Sequence, residues 1–431
     1  MTPRVGVSSD WWNRQALSLL VLLALVSRAG ALWHFGSNLT RDPDGYRQIA
    51  ERIEAGEGFV NPDVHTPTAY RPPLYPLVVA GILRCGGGNT AIGVVQLALG
   101  LATVALTVLC GRRLGMGRAS LVAGLLVAVD PLLLYQTSLV MTETLATFLA
   151  ALLLWLCLGQ TGNARRFAAG ATFGLCCLCR PTFWVFGVLA IAGRLLVWWR
   201  TTKSARTAPA SHWRDVLSLA TGLILVVGPW AMRNALVMGR PILTTTHGGY
   251  TLLLPHNPAY TRAVVDQPWG AVWEGRSFNE WSQSLEDRMA LERPPLDVAH
   301  LTPAVERARD AWMNREAREY IRREPIVAFR AGLTLLMRFW HVVPLTTRDR
   351  PLAPWLRLAI GLFYGVLLAA MLFGLVRIVP RGWTLWWPLP TLMAAFTLVH
   401  AVYWADMRMR APLIPAIALL AAVAGTKIRP G

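Results

Sequence analysis

Long apolar runs alternate with short polar connections along most of this chain. Ten such runs follow one another, at 16–33, 91–110, 119–136, 143–159, 167–180, 182–199, 215–232, 352–376, 383–403 and 411–426. About 20 apolar residues in a helix span the hydrocarbon core of a bilayer, and a helix satisfies its own backbone hydrogen bonds there. The pattern therefore predicts an all-α polytopic membrane protein, a bundle of about ten transmembrane helices.

Two long polar stretches interrupt this pattern. Residues 34–90 follow the first run, and residues 233–350 separate the seventh run from the eighth. The run LYPLVVAGIL at 74–83 is too short to cross a bilayer and is typical of an interfacial or re-entrant helix. The run at 329–343 has two arginines in an amphipathic pattern, which predicts a helix on the membrane surface. Its alternative is a true crossing, which would invert the orientation of every later segment.

The composition agrees with a membrane protein. The chain is 54% hydrophobic, has a mean hydropathy of +0.41 and carries only 15% charged residues, whereas a soluble domain carries about 25%. The formal net charge of +18 would by itself suggest a nucleic-acid partner. Many of the basic residues lie in short loops between apolar runs, and aromatic and basic residues do not interleave. We therefore attribute the charge to membrane topology and expect no nucleic-acid partner.

Basic residues in the short loops set the predicted orientation, because such loops face the cytoplasm whereas long loops are exempt from this bias. The basic positions are Arg4, Arg14, Arg112, Arg113, Arg118, Arg165, Arg166, Arg200, Lys203, Arg206, Arg214, Arg377, Arg381, Lys427 and Arg429. Placing them all in the cytoplasm puts 34–90 outside. Three segments follow: an N-terminal transmembrane module at 1–232, a long extracytoplasmic loop with amphipathic helices at 233–350, and C-terminal transmembrane helices at 351–431.

The six cysteines lie almost entirely in or beside apolar runs, at Cys85, Cys110, Cys157, Cys176, Cys177 and Cys179. The CCLC sequence at 176–179 could supply two ligands to a soft metal. No second pair of Cys or His stands near it in the sequence, and a buried free cysteine usually acts as a small hydrophobic residue. We therefore interpret these cysteines as packing residues, and nothing in the sequence requires a disulfide.

Residues able to carry chemistry gather on the predicted outer face. They are Asp42, Asp44 and Tyr46 after the first run, Arg71 in YRPPLYP, Glu143 in LVMTETLATF, and His400, Asp406, Arg408 and Arg410 in HAVYWADMRMRAPLIP. Each has a structural alternative. DPDG is a common solvated turn, Arg71 could snorkel to headgroups, Glu143 could complement a helix N-terminus, and the last two arginines could anchor the interface. Their coincidence on one membrane face nevertheless indicates a site for a charged ligand.

The order of these motifs resembles the GT-C superfamily of integral-membrane glycosyltransferases, and more closely the bacterial branch related to protein O-mannosyltransferases and lipid A aminoarabinose transferases. In that family an acidic residue four positions before a tyrosine opens the first outer loop, as Asp42 stands before Tyr46. A helix similar to IAERIEAGEGF follows. The basic-Pro-Pro-Leu motif matches RPPL at 71–74, and the second acidic position matches Glu143 in MTET. GPWAMRN and RMRAPLIP are also similar, so the resemblance covers almost the whole chain.

The resemblance implies transfer of a sugar from a polyprenyl phosphate to an acceptor on the extracytoplasmic face of the bacterial inner membrane, with the catalytic module at 1–232. Asp42 takes the position of the general base, which accepts the proton of the acceptor hydroxyl, and Asp44 is the reserve candidate. Fixed cations stabilise the departing phosphate, and a guanidinium suits its oxygens. The candidates for contacts with the substrate or lipid phosphate are Arg71, Tyr46, Arg408, Arg410 and His400.

The second acidic residue has three candidate roles. Glu143 could orient the acceptor, hold a sugar hydroxyl, or share a divalent cation with Asp42. Some branches that resemble this chain use no metal, so metal dependence stays open. The partners implied are a polyprenyl-phosphate-linked sugar donor, a lipid, glycan or protein acceptor, and membrane lipids. No motif in 233–350 names the sugar or the acceptor.

Two other functions are alternatives. A transporter or flippase of anionic sugar lipids would also need charged residues, but transporters often show inverted repeats and broken helices in two matching halves. This sequence shows no such symmetry, and its charges gather at one face. A catalytically inactive relative that only binds polyprenyl phosphate is the third hypothesis. The presence of Asp42, Arg71 and Glu143 argues against such decay.

Overall fold

The apolar runs fold as helices. The computed structural model describes residues 7–159, 162–202, 212–297, 299, 301–345, 352–379 and 383–425. Among these residues the only β-type pairing is one isolated antiparallel bridge between Val60 and Pro67. The all-α class is thus confirmed.

The N-terminal segment supplies ten helices within its described residues: α1 (Val7–Phe35), α2 (Tyr46–Glu54), α3 (Leu74–Arg84), α4 (Asn89–Arg113), α5 (Ala119–Ala128), α6 (Pro131–Gln136), α7 (Glu143–Cys157), α8 (Asn163–Cys179), α9 (Phe183–Thr202) and α10 (His212–Val237). A 3-10 helix, Gly36–Thr40, follows α1. The predicted run at 119–136 is divided into α5 and α6. It breaks there because Asp130 caps a new helix, accepting a hydrogen bond from the Leu133 amide at 2.9 Å, and Pro131 occupies the first helical position.

The remaining described helices belong to the segment at 233–350, named the outer segment here, and to the C-terminal bundle. The outer segment contains α11 (Gly248–Leu253), α12 (Pro258–Tyr260), α13 (Arg276–Ala290), α14 (Pro303–Arg323) and α15 (Pro325–Phe339). The C-terminal bundle contains α16 (Pro354–Ile378), α17 (Trp383–Trp386), α18 (Pro388–His400) and α19 (Ile414–Val423). A π-helical turn, Thr261–Val265, follows α12, and a 3-10 helix, Met407–Leu413, precedes α19.

The chain is a membrane protein. By length and composition, four described helical stretches can cross a bilayer: Gln15–Thr40, Asn89–Arg113, Trp213–Val237 and Pro354–Ile378. Their outer surfaces keep large apolar side chains exposed, such as Leu19, Val216 and Val366, which suits contact with lipid. Five shorter apolar helices accompany them: Leu74–Arg84, Ala119–Ala128, Glu143–Cys157, Phe183–Leu196 and Pro388–His400. The number of about ten crossings stays a prediction.

Part of the predicted basic pattern lies outside the described residues, namely Arg4, Lys203, Arg206, Arg381, Lys427 and Arg429. The cytoplasmic orientation of the short loops and the three-segment division are therefore kept as predictions. The word outer, where it names a segment or loop, follows this prediction.

Two glycines bring α8 and α10 into backbone contact. A Cβ at Gly170 would overlap the carbonyl of Leu219, and a Cβ at Gly222 would overlap the carbonyl of Phe167. Small residues allow this close approach between helices in a membrane. The contact fixes α8, whose C-terminal cap is Arg180, a residue of the candidate site.

The outer segment has its own apolar core. It is formed by Leu252, Leu253, Leu285, Met289, Leu296, Trp312, Met313 and Ala317, as α11 packs on α14. Gly249 allows this packing, because a Cβ there would overlap the Asp310 carbonyl oxygen. The described residues around this core therefore form a folded body, which contacts the loop after α1 through Thr66 and Thr68.

Helix α15 contains most of the run at 329–343. One of its faces exposes Ile326, Phe329 and Met337, while the opposite face is buried. Two arginines tie it to the outer segment: Arg330 pairs with Asp266 at 2.9 Å, and Arg338 donates to the Ala271 carbonyl. These features support the prediction of a helix on the membrane surface.

Candidate active site

The first outer loop turns at Asp42 and enters α2 through Gly45. Gly45 has a φ of 71°, a left-handed conformation that suits glycine. Asp42 Oδ2 accepts a hydrogen bond of 2.9 Å from the Gln48 amide, which places the carboxylate at the N-terminus of α2, where the helix dipole favours a negative charge. The loop thus holds the Asp42 carboxylate by one of its two oxygens.

The other oxygen of Asp42, Oδ1, is buried and has no hydrogen-bond partner within the described residues. Burial raises the pKa of Asp42 above its usual value, and the charge of Asp44 adds to this effect. The backbone amides of Gln48, Arg47 and Tyr46 oppose it without cancelling it. A carboxylate with one unused oxygen and a raised pKa is a suitable proton acceptor.

Asp44 faces two arginines from distant parts of the chain. Its Oδ1 lies 3.3 Å from Arg71 Nη2, and its Oδ2 lies 3.8 Å from Arg408 Nη1. The two aspartates of DPDG therefore differ in their partners. Asp44 pairs with two arginines, whereas Asp42 Oδ1 has no hydrogen-bond partner within the described residues.

Arg71 is held between aromatic rings. Its guanidinium carbon lies 5.5 Å from the ring centre of Tyr46 and 5.3 Å from that of Tyr70, within the range of cation–π contacts. Tyr46 is itself buried edge-on against Tyr75, with ring centres 5.5 Å apart. The Tyr46 ring thus lies in the site and packs against the Arg71 guanidinium.

The backbone just before Arg71 is fixed by a buried glutamate. Glu306 of α14 accepts hydrogen bonds from the Ala69 amide at 2.9 Å and from the Thr68 hydroxyl at 2.5 Å. It also accepts one from the Thr246 hydroxyl at 2.5 Å. The outer segment therefore positions the RPPL motif, a role that the sequence did not reveal because α14 reads as a solvated helix.

Glu143 begins α7 and is fully buried. Its Oε1 accepts from Arg180 Nη2 at 2.7 Å, and Arg180 Nε donates to the Thr142 hydroxyl at 3.0 Å. Oε2 is buried without a partner within the described residues. Arg408 Nε lies 4.0 Å from Oε1, so Glu143 faces two cations.

Arg180 is a member of the site that the sequence analysis missed. It is the last residue of the predicted span 167–180, at the end that the predicted topology places outside. A lone arginine beside a short outer loop departs from the usual charge bias. That departure, together with the high cost of placing charge at a membrane, is the feature of the sequence that could have pointed to Arg180.

Arg408 joins the two acidic positions. Asp406 orients it, accepting from the Arg408 amide at 2.9 Å and from its Nε at 3.1 Å. The Arg408 side chain remains one-third exposed. Burial lowers the pKa of Arg408, but the charges of Asp406, Glu143 and Asp44 outweigh this effect and raise it overall.

The structure does not bring Arg410 and His400 to this cluster. Arg410 is fully buried and donates to the carbonyls of Phe339 at 3.1 Å and His341 at 3.0 Å. His400 stacks on Phe339 with ring centres 5.0 Å apart, and its Nδ1 lies 3.1 Å from the Trp404 carbonyl. These contacts hold both side chains within the packed interior.

Tyr75 lies between the two acidic positions. Burial raises the pKa of its hydroxyl, and the charges of Glu143 and Asp42 raise it further. Farther out, His247 packs edge-on against Tyr70 at 4.3 Å. Burial and the charge of Arg71 lower the pKa of His247, so it is neutral beside that cation.

No three His, Cys, Asp or Glu side chains in the described part of the chain are close enough to hold a metal ion. The partner that the structure shows for Glu143 is Arg180. The CCLC cysteines are free and buried within α8, in agreement with their interpretation as packing residues.

Comparisons with known proteins identify the fold. Residues 70–231 match the family described as dolichyl-phosphate-mannose-protein mannosyltransferase, and no curated protein sequence matches the chain. The oligosaccharyltransferase AglB of Archaeoglobus fulgidus, solved with an inhibitory peptide and a dolichol-phosphate, superposes with a TM-score of 0.54 at 15% identity, covering 97% of this chain and 50% of AglB. The chain has a GT-C fold. The expected resemblance is thereby confirmed.

Two further structures are similar to this chain. The apo form of the A. fulgidus oligosaccharyltransferase has a TM-score of 0.52 at 14% identity, covering 96% of this chain and 50% of its own. ArnT of Cupriavidus metallidurans, solved bound to undecaprenyl phosphate, has a TM-score of 0.44 at 16% identity, covering 97% of this chain and 78% of its own. This chain spans about half the length of the archaeal enzyme.

Proposed function

We propose that this chain is a glycosyltransferase that moves a sugar from a polyprenyl-phosphate donor to an acceptor on the extracytoplasmic face of the membrane. The observation that carries the proposal is the pairing of one proton acceptor with a set of fixed cations. Asp42 offers an unused buried oxygen, and Arg71 and Arg408 converge on its neighbour Asp44.

In the proposed reaction the acceptor hydroxyl oxygen attacks the anomeric carbon of the donor. Its proton passes to Asp42 Oδ1, and the bond between the anomeric carbon and the phosphate oxygen breaks. The polyprenyl phosphate leaves with the bonding electron pair. The raised pKa of Asp42 strengthens it as a base, because a base is most effective when its pKa approaches the working pH.

The cations supply electrostatic stabilisation of the leaving phosphate. Arg71 and Arg408 remain partly exposed, at 19% and 33% of their side chains, so each can exchange part of its contact with Asp44 for a phosphate oxygen. Arg180 is bound more tightly to Glu143, and we assign it to positioning that carboxylate. Donors fixed before the reaction stabilise developing charge without reorganisation.

Replacing Asp42 tests this function. Membranes that contain the protein should transfer label from a polyprenyl-phosphate sugar to a membrane or protein acceptor. Asp42→Asn should lower the rate by about 10²–10⁴-fold, the usual contribution of a general base. The fold should persist, because the Asn carbonyl can still accept from the Gln48 amide.

The matched control is Asp63→Asn, which alters an exposed carboxylate in the same outer loop and should leave transfer unchanged. Unchanged transfer by Asp42→Asn would remove Asp42 from the mechanism. The topology has its own test in a Cys85→Ser background, where a cysteine placed by Asp63→Cys should react with an impermeant maleimide from outside. Labelling only from the cytoplasm would reject the proposed face.

A further inference from the structure

A cavity of about 720 Å³ opens in the outer segment, between α12, α13 and α14. This volume lies within the roughly 300–1,000 Å³ of small-molecule sites. Six charged residues line it: Arg262, Arg288, Arg323, Glu280, Glu316 and Glu319. None of them belongs to the candidate active site.

The charges that line the cavity balance. Three arginines face three glutamates, and the glutamates are paired: Glu316 with Arg288, Glu319 with Arg323, and Glu280 with the neighbouring Arg276. Arg262 makes no side-chain hydrogen bond or ion pair to any described residue. The lining is therefore rich in hydrogen-bond donors and acceptors but nearly neutral, which suits hydroxyl groups better than a phosphate or a cation.

The walls of the cavity are side chains on helices. A helix bonds its own backbone groups, so the cavity offers no free strand edge for an extended peptide. Trp281 and Tyr320 add aromatic surface to the lining. An aromatic face beside paired carboxylates and guanidinium groups is the combination that binds a sugar ring, with its apolar face and its rim of hydroxyls.

His256 adds a buried polar side chain to the lining. Only 3% of the residue is exposed, and it lines the cavity. Its Nε2 lies 2.9 Å from the Val402 carbonyl oxygen, which can only accept, so Nε2 carries the proton. Burial lowers the pKa of His256, so its ring adds no charge to the lining.

We infer that this cavity binds sugar units of the acceptor, so that the acceptor of the proposed reaction is a saccharide or a glycan-bearing molecule. That the saccharide is the acceptor rests on the proposed function, whereas the binding of a saccharide rests on the cavity alone. It names a ligand class for a site separate from the cations that face the donor phosphate.

Direct contacts join the cavity to the candidate active site. Arg71 lies over the ring of Tyr70, from which a series of neighbouring rings leads to the cavity. The distances between successive ring centres are 4.3 Å from Tyr70 to His247, 5.3 Å from His247 to Tyr250, and 6.4 Å from Tyr250 to Trp281. A second route runs through the carbonyl of Val402, which is bonded to His256 and lies six residues before Arg408. The cavity is thus connected through packed side chains to the elements that carry the cations.

Binding of neutral oligosaccharides to the full chain in detergent tests the inference. The probes are mannotriose, maltotriose and chitotriose, followed by saturation-transfer difference NMR and by tryptophan fluorescence. At least one should bind, and Arg262→Ala or Glu319→Gln should weaken its binding at least tenfold. Arg318→Ala, on an exposed position of α14 outside the cavity lining, is the matched control and should bind as the unaltered chain does.

Asp42→Asn separates this inference from the proposed function, because it should bind saccharide normally while losing transfer. Absence of saccharide binding, or equal binding by the cavity variants, would overturn the inference even if transfer persists. Displacement of the saccharide by a neutral peptide that binds more tightly, and loses affinity in Arg262→Ala, would also overturn it. Saccharide binding without any transfer would leave the cavity assigned and reject the proposed function.

Discussion

Two clusters of charge meet the same short 3-10 helix, Met407–Leu413. On one side, Arg408 faces Asp44 and Glu143 near the outer loop. On another, Arg410 is buried and its guanidinium lies 4.7 Å from the ring centre of Tyr364, whose hydroxyl donates to Asp130 at 2.9 Å. The two arginines are separated by one residue, yet their surroundings differ completely.

The difference lies in exposure to solvent. In the outer cluster the side chains of Arg71 and Arg408 remain 19% and 33% exposed. In the inner cluster Arg410 and Asp130 are fully buried, Arg410 bonded to two carbonyls and Asp130 to Tyr364 and the Leu133 amide. Each cluster also has a buried carboxylate oxygen without a partner among the described residues, Asp42 Oδ1 in the outer one and Asp130 Oδ2 in the inner one. Charge at membrane depth is therefore not enough to indicate a site. The charge must also be accessible.

The sharpest test of this comparison is Arg408→Ala. We expect transfer to fall by roughly 10²–10³-fold, the usual loss when one fixed donor to a developing anion is removed. The fold should change little, because the side chain is one-third exposed and bonded mainly to Asp406. Initial rates with a polyprenyl-phosphate sugar, measured beside the thermal midpoint of the purified protein, separate the two effects. A wild-type rate would contradict the assigned role.

Arg410→Ala should lower the stability of the fold more than it lowers transfer. It leaves the buried carbonyls of Phe339 and His341 without their donor, and each unsatisfied buried group costs about 1–3 kcal/mol. We expect a loss of about 3 kcal/mol in the free energy of unfolding, seen as a lower melting temperature and yield. Folded Arg410→Ala should retain a far larger share of transfer than Arg408→Ala. A stable but inactive Arg410→Ala would return Arg410 to the catalytic set.

These two arginines also show how far sequence reasoning reaches. The apolar runs predicted the helices and the class, because a bilayer leaves the backbone few alternatives. The motif order selected Asp42, Arg71, Glu143 and Arg408. It could not separate Arg408 from Arg410, because the direction of a side chain two residues farther along a 3-10 helix is decided by packing against α15.

Arg180 and Glu306 were missed for different reasons. Arg180 gave a faint signal, as a lone arginine at the predicted outer end of a span. Glu306 gave none, because its charged neighbours in α14 resemble a solvated surface. Only tertiary contact shows that it reaches Thr68 and Ala69, more than 200 residues earlier in the chain.

Glu306→Gln should have an intermediate effect on the outer cluster. The amide retains one acceptor but loses the charge that binds Thr68, Ala69 and Thr246. We expect kcat to fall about tenfold, or about 1.4 kcal/mol in the activation barrier, with little change in KM, because Arg71 would be displaced from the leaving phosphate. Glu324→Gln at the exposed end of the same helix is the control. A lower melting temperature with unchanged kcat would make the role structural only.

Asp44→Asn should give the smallest effect, a displacement of the pH profile. Asp42 must be ionised to accept a proton, so kcat/KM should fall as the pH drops through its pKa, which burial and the charge of Asp44 raise. Removing the negative charge of Asp44 favours ionised Asp42 and lowers its pKa. The acid limb of the profile should therefore move to lower pH, while a weaker hold on Arg71 and Arg408 lowers the plateau. An acid limb that moves to higher pH would contradict the electrostatic role of Asp44, and a loss of transfer as large as that of Asp42→Asn would show that Asp44 is the base and would reverse the roles given to the two aspartates.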